Sequence, residues 1–259
     1  MSEEVLIVTG GASGIGRAVV LLAARRGWKV GVLDFNGAAL QSVFDDAMAA
    51  GAAGVTVVQC DVASESSITE AFDAVERELG PLTGLFTSAG IERPGFAHEL
   101  SLELWQKVID TNLTGTFLAC RQALRSLLRS GLAGSLVCCS SPAGLVAFSA
   151  GAASSYSASK GGVSSLVRSL AVDYASHGIR VNAVMPGATE TPMMWANTAQ
   201  DQMGPMRKLI ESEVPLGRLA EAEEPAQAVM WLLSPESSYV TGSHLTCDGG
   251  ILAKASISF

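Results

Sequence analysis

From Val5 to about residue 185 the chain alternates short, β-branched, almost wholly apolar runs with longer segments of helical periodicity. Six runs read as strands: VLIVTG (5–10), KVGVLD (29–34), GVTVVQCD (54–61), GLFTSAG (84–90), GSLVCCSS (134–141) and RVNAVMPG (180–187). A strand with one wet face alternates polar and apolar residues. These do not, so both faces of their sheet must be covered. The covering segments are amphipathic: in AALQSVFDDAMAAG (38–51), Leu40, Val43, Phe44, Ala47 and Met48 recur at helical spacing and Gly51 supplies a stop. Repeated βα units of this length predict a parallel, doubly wound α/β sheet. A further strand is expected in SHLTCDGG (243–250), after a helix over EEPAQAVMWLLS (223–234) whose Pro225 suits a first turn. No linker, charge block or repeat divides residues 1–259, which predicts a single domain. Residues 190–215 fit the alternation least. Rich in methionine and broken by Pro192, Pro205 and Pro215, they are expected to form a small insertion over one edge of the core.

Composition removes several classes of partner. With 17 basic against 25 acidic residues the net charge is −8, and no basic run offers a footprint for a phosphate backbone or anionic lipid. Nucleic acid and membrane surfaces are therefore not expected as partners. The longest apolar stretches, such as AVVLLAA (18–24), end well short of the roughly 20 residues a bilayer span needs. The start, MSEEVLIVTG, is acidic where a secretory signal would be basic, which predicts a cytoplasmic protein. Five cysteines without framework spacing, and histidines scattered at 98, 177 and 244, predict neither a disulfide scaffold nor a metal site. Cys138 and Cys139 read as buried packing on a strand.

VTGGASGIGRAVV (8–20) sets Gly10, Gly14 and Gly16 between the first strand and the first helix. Without side chains such a loop turns tightly and lets a pyrophosphate approach the N–H groups of the following helix; it could also be a tight turn made for packing alone. Asp34 ends the second strand roughly 20 residues on, where a carboxylate can accept hydrogen bonds from adenosine-ribose hydroxyls, or else cap the helix begun in DFNGAAL. Asp61 closes the third strand in the same way and could reach the adenine edge or cap the next helix.

From Ser154 or Ser155 onward, SYSASKGGVSSLVRSLAVDYASHG carries Tyr156, Val163, Leu166, Val167, Leu170 and Tyr174 at helical intervals, with Gly178 as terminator. Tyr156 and Lys160 then share a face, one turn apart. A free tyrosine titrates near about 10 and is a poor base at neutral pH, but an adjacent ammonium favours the phenolate. Ser157, Ala158, Ser159, Gly161 and Gly162 leave room for ligands against the helix. The same spacing also occurs on plain solvent-facing helices.

Several motifs in order make the chain resemble the short-chain dehydrogenase/reductase family over essentially its whole length: TGGASGIG (9–16), TNLTG (111–115), the serine pair 140–141, YSASK (156–160), NAVMPG (182–187) and YVTGSHLTCDGG (239–250). The resemblance implies a Rossmann-type fold, a homotetramer and hydride transfer with a nicotinamide cofactor, and the Asp34 carboxylate, with no arginine or lysine in GGAS (10–13) or FNG (35–37) to receive a 2′-phosphate, predicts NAD. It implies that Tyr156 is the general acid/base, that Lys160 lowers its pKa and holds the nicotinamide ribose, that Ser141 orients the substrate oxygen, and that Asn112 holds a relay water. Thr191 would contact the nicotinamide carboxamide; Ser13, Ile15, Val62, Ala89, Gly90, Pro186, Gly187 and Thr189 complete the implied cofactor set. Two departures stand out. TSAG (87–90) replaces the family's NNAG, and the stretch from Ser141 to Tyr156 is longer than the common spacing, which keeps Ser140 and Ser149 open as the orienting hydroxyl. The expected substrate is an apolar, uncharged secondary alcohol or ketone, framed by Ile91, Ala143, Leu145, Val146, Phe148, Met193, Met194 and Trp195, with Arg93 and Arg207 the nearest anchors for an acid. An NADPH-linked reductase of 3-oxoacyl thioesters and a non-catalytic cofactor-responsive binder are the alternatives.

Overall fold

Seven parallel strands form one sheet in the order β3-β2-β1-β4-β5-β6-β7 in the computed structural model, which describes residues 4–148 and 152–254. The strands are β1 (Val5–Thr9), β2 (Lys29–Asp34), β3 (Gly54–Gln59), β4 (Gly84–Thr87), β5 (Gly134–Cys139), β6 (Ile179–Pro186) and β7 (His244–Cys247). Each lies within two or three residues of its expected run. The near-continuous apolar character of these runs hides a period of two. Ile7, Leu85, Leu136 and Val181 point to one face; Leu6, Val8, Phe86, Val137 and Val184 point to the other. Two separate cores result, one per face, as parallel sheets require.

Helices α1 (Gly14–Arg25), α2 (Gly37–Ala50) and α9 (Glu223–Leu233) cover one face through Val19, Ala23, Val43, Val229 and Met230. Helices α3 (Glu65–Leu79), α5 (Gly115–Ser130) and α6 (Ser154–Tyr174) cover the other through Phe72, Val75, Leu127, Val163 and Val167. A shorter α4 (Leu102–Ile109) runs into α5 through one π-helical turn, Asp110–Thr114. Local chemistry sets the ends: Ser64 and Ser101 cap α3 and α4 by accepting from Ser67 N and Leu104 N, and Gly51 ends α2 in the left-handed region at φ 105°.

The chain winds outward from β1 to β3, then returns to place β4 on the other side of β1, in register from Leu6↔Gly84 to Thr9↔Thr87. The loops leaving β1 and β4 therefore diverge at this reversal and open a crevice at the carboxyl edge of the sheet. Residues 190–215 do form an excursion, built of α7 (Pro192–Trp195) and α8 (Met203–Glu213). Its base is clipped shut where Glu190 N donates to Ala220 O (2.8 Å) and Ala220 N to Ala188 O (2.9 Å). Among the described residues no helix is long and apolar enough to cross a membrane, and no cluster of His, Cys, Asp or Glu could hold a metal ion.

Candidate active site

The crevice is a cleft of about 1750 Å³, spacious enough for a dinucleotide and a small second ligand together. Its floor at one end is the loop between β1 and α1. A Cβ on Gly10 would come within 2.7 Å of Ala89 Cα and N, and one on Gly16 would overlap the Gly10 carbonyl oxygen, so neither position admits a side chain while β1, β4 and α1 stay this close. Gly10, Ser13, Gly14 and Ile15 face the cleft, whereas buried Gly16 does not; its part is to let the helix sit down on the loop. Ser13 occupies the N-cap of α1 without forming a side-chain cap, and the first turn holds no acidic residue. The first-turn N–H groups and the positive end of the helix dipole are thus left for an anion, as a pyrophosphate requires.

Asp34 lines the same end. Its Oδ2 accepts from Ala12 N (3.0 Å) and its Oδ1 from Asn36 N (2.9 Å), so the carboxylate ties the glycine loop to the turn entering α2. Asn36, not Asp34, is the N-cap residue of that helix. Nor does Asp61 cap α3; Ser64 does, while Asp61 Oδ1 takes Ala63 N (3.0 Å) and the residue faces the cleft beside buried Val62. Arg17, the cation nearest the glycine loop in sequence, is paired with Asp46 across α1 and α2 at 2.5 Å. Ala89, Gly90, Pro186, Gly187, Thr189 and Thr191 line the middle of the cleft, and Thr191 caps α7 by accepting from Met194 N (3.4 Å). Together these residues fit a nicotinamide dinucleotide: an uncapped helix start for the phosphates, a carboxylate for ribose hydroxyls and a groove that glycines keep open. In TSAG, Thr87 is buried and does not line the cleft, whereas Ser88, Ala89 and Gly90 do.

Beyond the middle, Tyr156 and Lys160 face the cleft from α6, with the Lys160 ammonium 5.5 Å from the Tyr156 ring centroid. Lys160 is buried and donates from Nζ to Cys139 O (2.8 Å), which holds it against the end of β5. Burial pushes the Tyr156 phenol above its ordinary value; the Lys160 ammonium pulls it down, Cys139 and Glu92 push it up, and the Ser141 hydroxyl pulls it down. The lowering expected from Lys160 is present but does not win over burial.

The serine pair divides its duties. Ser140 Oγ turns into α6, bonding Lys160 O (3.1 Å) and Ser164 Oγ (2.8 Å), while Ser141 lines the cleft and accepts from Ala143 N (3.2 Å). Ser149 lies outside the described residues. The longer loop rejoins α6 through Ala152, which adopts φ 41°, rare for a residue with a Cβ, and whose carbonyl accepts from Gly95 N (2.7 Å).

Asn112 is fully buried and does not reach the cleft. Its Oδ1 accepts from Ile91 N (2.8 Å), and its Nδ2 donates to Ile91 O (2.9 Å) and Ser159 Oγ (3.1 Å). The side chain is a brace between the loop after β4 and α6. A relay water would have to use its main-chain carbonyl, which already accepts from Thr116 Oγ1 (2.8 Å).

Of the residues expected to frame a substrate, Ile91, Ala143, Val146, Phe148, Met193 and Met194 line the cleft, but Leu145 and Trp195 do not. Leu145 is 60% exposed, turned outward by the 3₁₀ turn Pro142–Gly144. Trp195 turns away because its Nε1 donates to Glu190 Oε1 (2.7 Å) and the Arg207 guanidinium stacks 5.3 Å from its ring. Arg207 also pairs with Glu190, so it staples α8 to the base of the excursion and is not free to anchor an acid. Met206, Leu209 and Ile210 of α8 supply wall that the sequence reading missed; their spacing of three and four within MGPMRKLIESE was the available signal. Phe35 and Glu92 also line the cleft unforeseen.

The family model described as Enoyl-(Acyl carrier protein) reductase matches residues 10–252. The chain is 39% identical over 254 residues, 98% of each chain, to the 2,5-dichloro-2,5-cyclohexadiene-1,4-diol dehydrogenase of Sphingobium indicum. It is 40% identical over 255 residues, 97% of this chain and 98% of the other, to the cis-4-hydroxycyclohexanecarboxylate dehydrogenase of Sinomonas cyclohexanicum. A crystal structure of a short-chain type dehydrogenase/reductase from Mycobacterium marinum superposes with a TM-score of 0.91 at 32% identity, covering 97% of this chain and 96% of that one.

Proposed function

The chain belongs to the short-chain dehydrogenase/reductase family, and from that premise we propose that it interconverts a secondary alcohol and a ketone, with NAD(H) as hydride carrier and Tyr156 as general acid/base. The observation that carries the reading is the meeting of Tyr156, Lys160 and Ser141 in the same cleft as the uncapped start of α1. A bound nicotinamide would supply the hydride acceptor for oxidation and the hydride donor for reduction. This chain's residues handle the proton. Ser141 Oγ holds the substrate oxygen beside the phenol, and in oxidation the substrate O–H proton passes to the Tyr156 phenolate as the C=O bond forms. The Lys160 ammonium, fixed by Cys139 O, favours that phenolate; in reduction the phenol returns the proton. Asp34 supports NAD over NADP, because a 2′-phosphate would meet a like charge with no lysine or arginine in residues 10–16 or 35–37 to receive it.

Both curated relatives bear names with a six-membered carbon ring and a ring hydroxyl. We therefore place the substrate among small cyclic secondary alcohols, uncharged around the reacting carbon, against Ile91, Val146, Phe148 and Met193. Exposed Phe117, Leu128 and Val172 on α5 and α6 support assembly into a homotetramer through that face. The test is turnover of NAD⁺ by the purified protein with a panel of cyclic and linear secondary alcohols. Tyr156→Phe should cut kcat by roughly 10²–10⁴-fold while leaving NADH affinity within about twofold, the range expected for losing one positioned acid/base. Near wild-type kcat in Tyr156→Phe would reject the proton chemistry.

A further inference from the structure

Glu92 is an acidic side chain in the cleft for which the proton chemistry has no use. It follows Ile91 directly after β4, lines the substrate end, and lies close enough for its charge to oppose ionisation of Tyr156. A negative charge placed there works against the phenolate, so catalysis of proton transfer does not explain it.

The backbone that presents Glu92 is tightly held. Asn112 bonds both N and O of Ile91 (2.8 and 2.9 Å), and Glu92 O accepts from Arg93 Nη1 (2.9 Å) and Asn197 Nδ2 (3.3 Å). The carboxylate itself has no hydrogen bond or ion pair among the described residues. Of the other acidic residues lining the cleft, Glu213 pairs with Lys254 at 2.9 Å, Asp110 accepts from Gln106 Nε2 (2.8 Å), Asp34 and Asp61 accept backbone N–H groups, and Glu103 stands exposed to solvent. Burial pushes the Glu92 carboxyl above the usual carboxylate range, the mark of an acceptor that has lost water without gaining a donor. The surrounding wall of Ile91, Val146, Phe148 and Met193 supplies none. A purely apolar ligand would strip the remaining water from this group and return nothing. A cation would pair with it but would also face Arg93, Lys160 and Lys254 around the same cleft. A neutral hydroxyl donor meets neither penalty.

We propose that the Glu92 carboxylate accepts a hydrogen bond from a second hydroxyl group of the substrate, so that the natural substrates are ring diols and the corresponding hydroxyketones. The inference rests on the alcohol–ketone reading above, with Glu92 as its specificity-determining contact.

Binding separates the two. The probe pair is 4-hydroxycyclohexanone and cyclohexanone, each titrated into the NADH complex in a Tyr156→Phe background, where reduction is suppressed, with wild type and variants here referring to position 92, and followed by nicotinamide fluorescence. The wild type should bind the hydroxyketone about tenfold or more tightly, the range for a hydrogen bond to a charged acceptor. Glu92→Leu should bring the two affinities together, weakening the hydroxyketone and tightening cyclohexanone as the desolvation cost of the carboxylate is removed, and Glu92→Gln, which retains an acceptor, should fall between. Should Glu92→Leu fail to fold, the Gln variant must still narrow the ratio. Equal binding by the wild type, an unchanged ratio in the variants, or a preference for 4-aminocyclohexanone would each overturn the assignment. If the ratio collapses in the variants but no alcohol is ever turned over, the oxidoreductase reading fails and the Glu92 contact stands.

Discussion

Neutralising Asp34 should shift cofactor choice more than it harms the fold. Two backbone donors, Ala12 N at 3.0 Å and Asn36 N at 2.9 Å, fix the carboxylate at the carboxyl end of β2. Its remaining lone pairs face the cleft, where a 2′-phosphate would arrive as a second anion. At about 5 Å and an effective dielectric of about 20, two unit charges repel by about 3 kcal/mol. Water at this half-exposed site screens part of that, while a phosphate brings roughly 1.5 to 2 charges, so about 1.5–3 kcal/mol should survive. The equivalent preference for NAD over NADP is roughly 10- to 100-fold in kcat/KM. Arg17 does not offset it, being held by Asp46 at 2.5 Å. Asp34→Asn removes the charge and keeps one oxygen acceptor, so the ratio should fall about tenfold, chiefly through a lower KM for NADP. Steady-state kinetics with both cofactors on wild type and variant decide it. Equal or better use of NADPH by the wild type, or an unchanged ratio in Asp34→Asn, would refute the assignment of Asp34 to the ribose.

The pH profile of oxidation should rise toward alkaline pH, because the base proposed here is the Tyr156 phenolate and burial raises its pKa in the free protein. Removing the ammonium in Lys160→Met takes away a lowering influence, so the ascending limb of kcat/KM should move to higher pH; a limb that stays put would exclude Tyr156 as the titrating base. Gly16→Ala would drive a Cβ into the Gly10 carbonyl, backbone against backbone. Overpacking of this kind costs about 1–3 kcal/mol, equivalent to a Tm loss of roughly 2–10 °C in a chain of this size, with weaker NADH binding; thermal unfolding with and without NADH checks both, and a wild-type Tm would refute the packing.

The sheet was legible because burial leaves a mark on composition. Runs such as VLIVT and KVGVLD are apolar at almost every position only because both faces are covered, and the helices between them repeat at their own period. Strand ends were less clear. GVTVVQCD was expected to pair through Asp61 but pairs only to Gln59, since Cys60 and Asp61 already turn toward α3. The glycine loop, Asp34, Tyr156 and Lys160 were legible for a related reason: each stands at a fixed offset from a strand or helix end, so locating the element places the side chain.

Orientation within loops follows no such period. Trp195 was expected to face the substrate because it is large, apolar and adjacent to Met193 and Met194, yet the partners that turn it away, Glu190 and Arg207, lie five residues before it and twelve after. Arg207 loses its part as an acid anchor through the same contact. Ser140 and Ser141 are adjacent just beyond the end of β5, and only pairing with α6 decides which hydroxyl is consumed and which is left to a ligand. Glu92 is the strongest instance. In sequence it is one acidic residue among 25, in an irregular stretch with no periodicity. What distinguishes it is an unmade bond, a carboxylate held in a cleft by a braced backbone and left without a donor among the described residues. Sequence patterns report which groups the protein must satisfy by itself. A group reserved for a ligand becomes visible only after every partner inside the fold has been assigned.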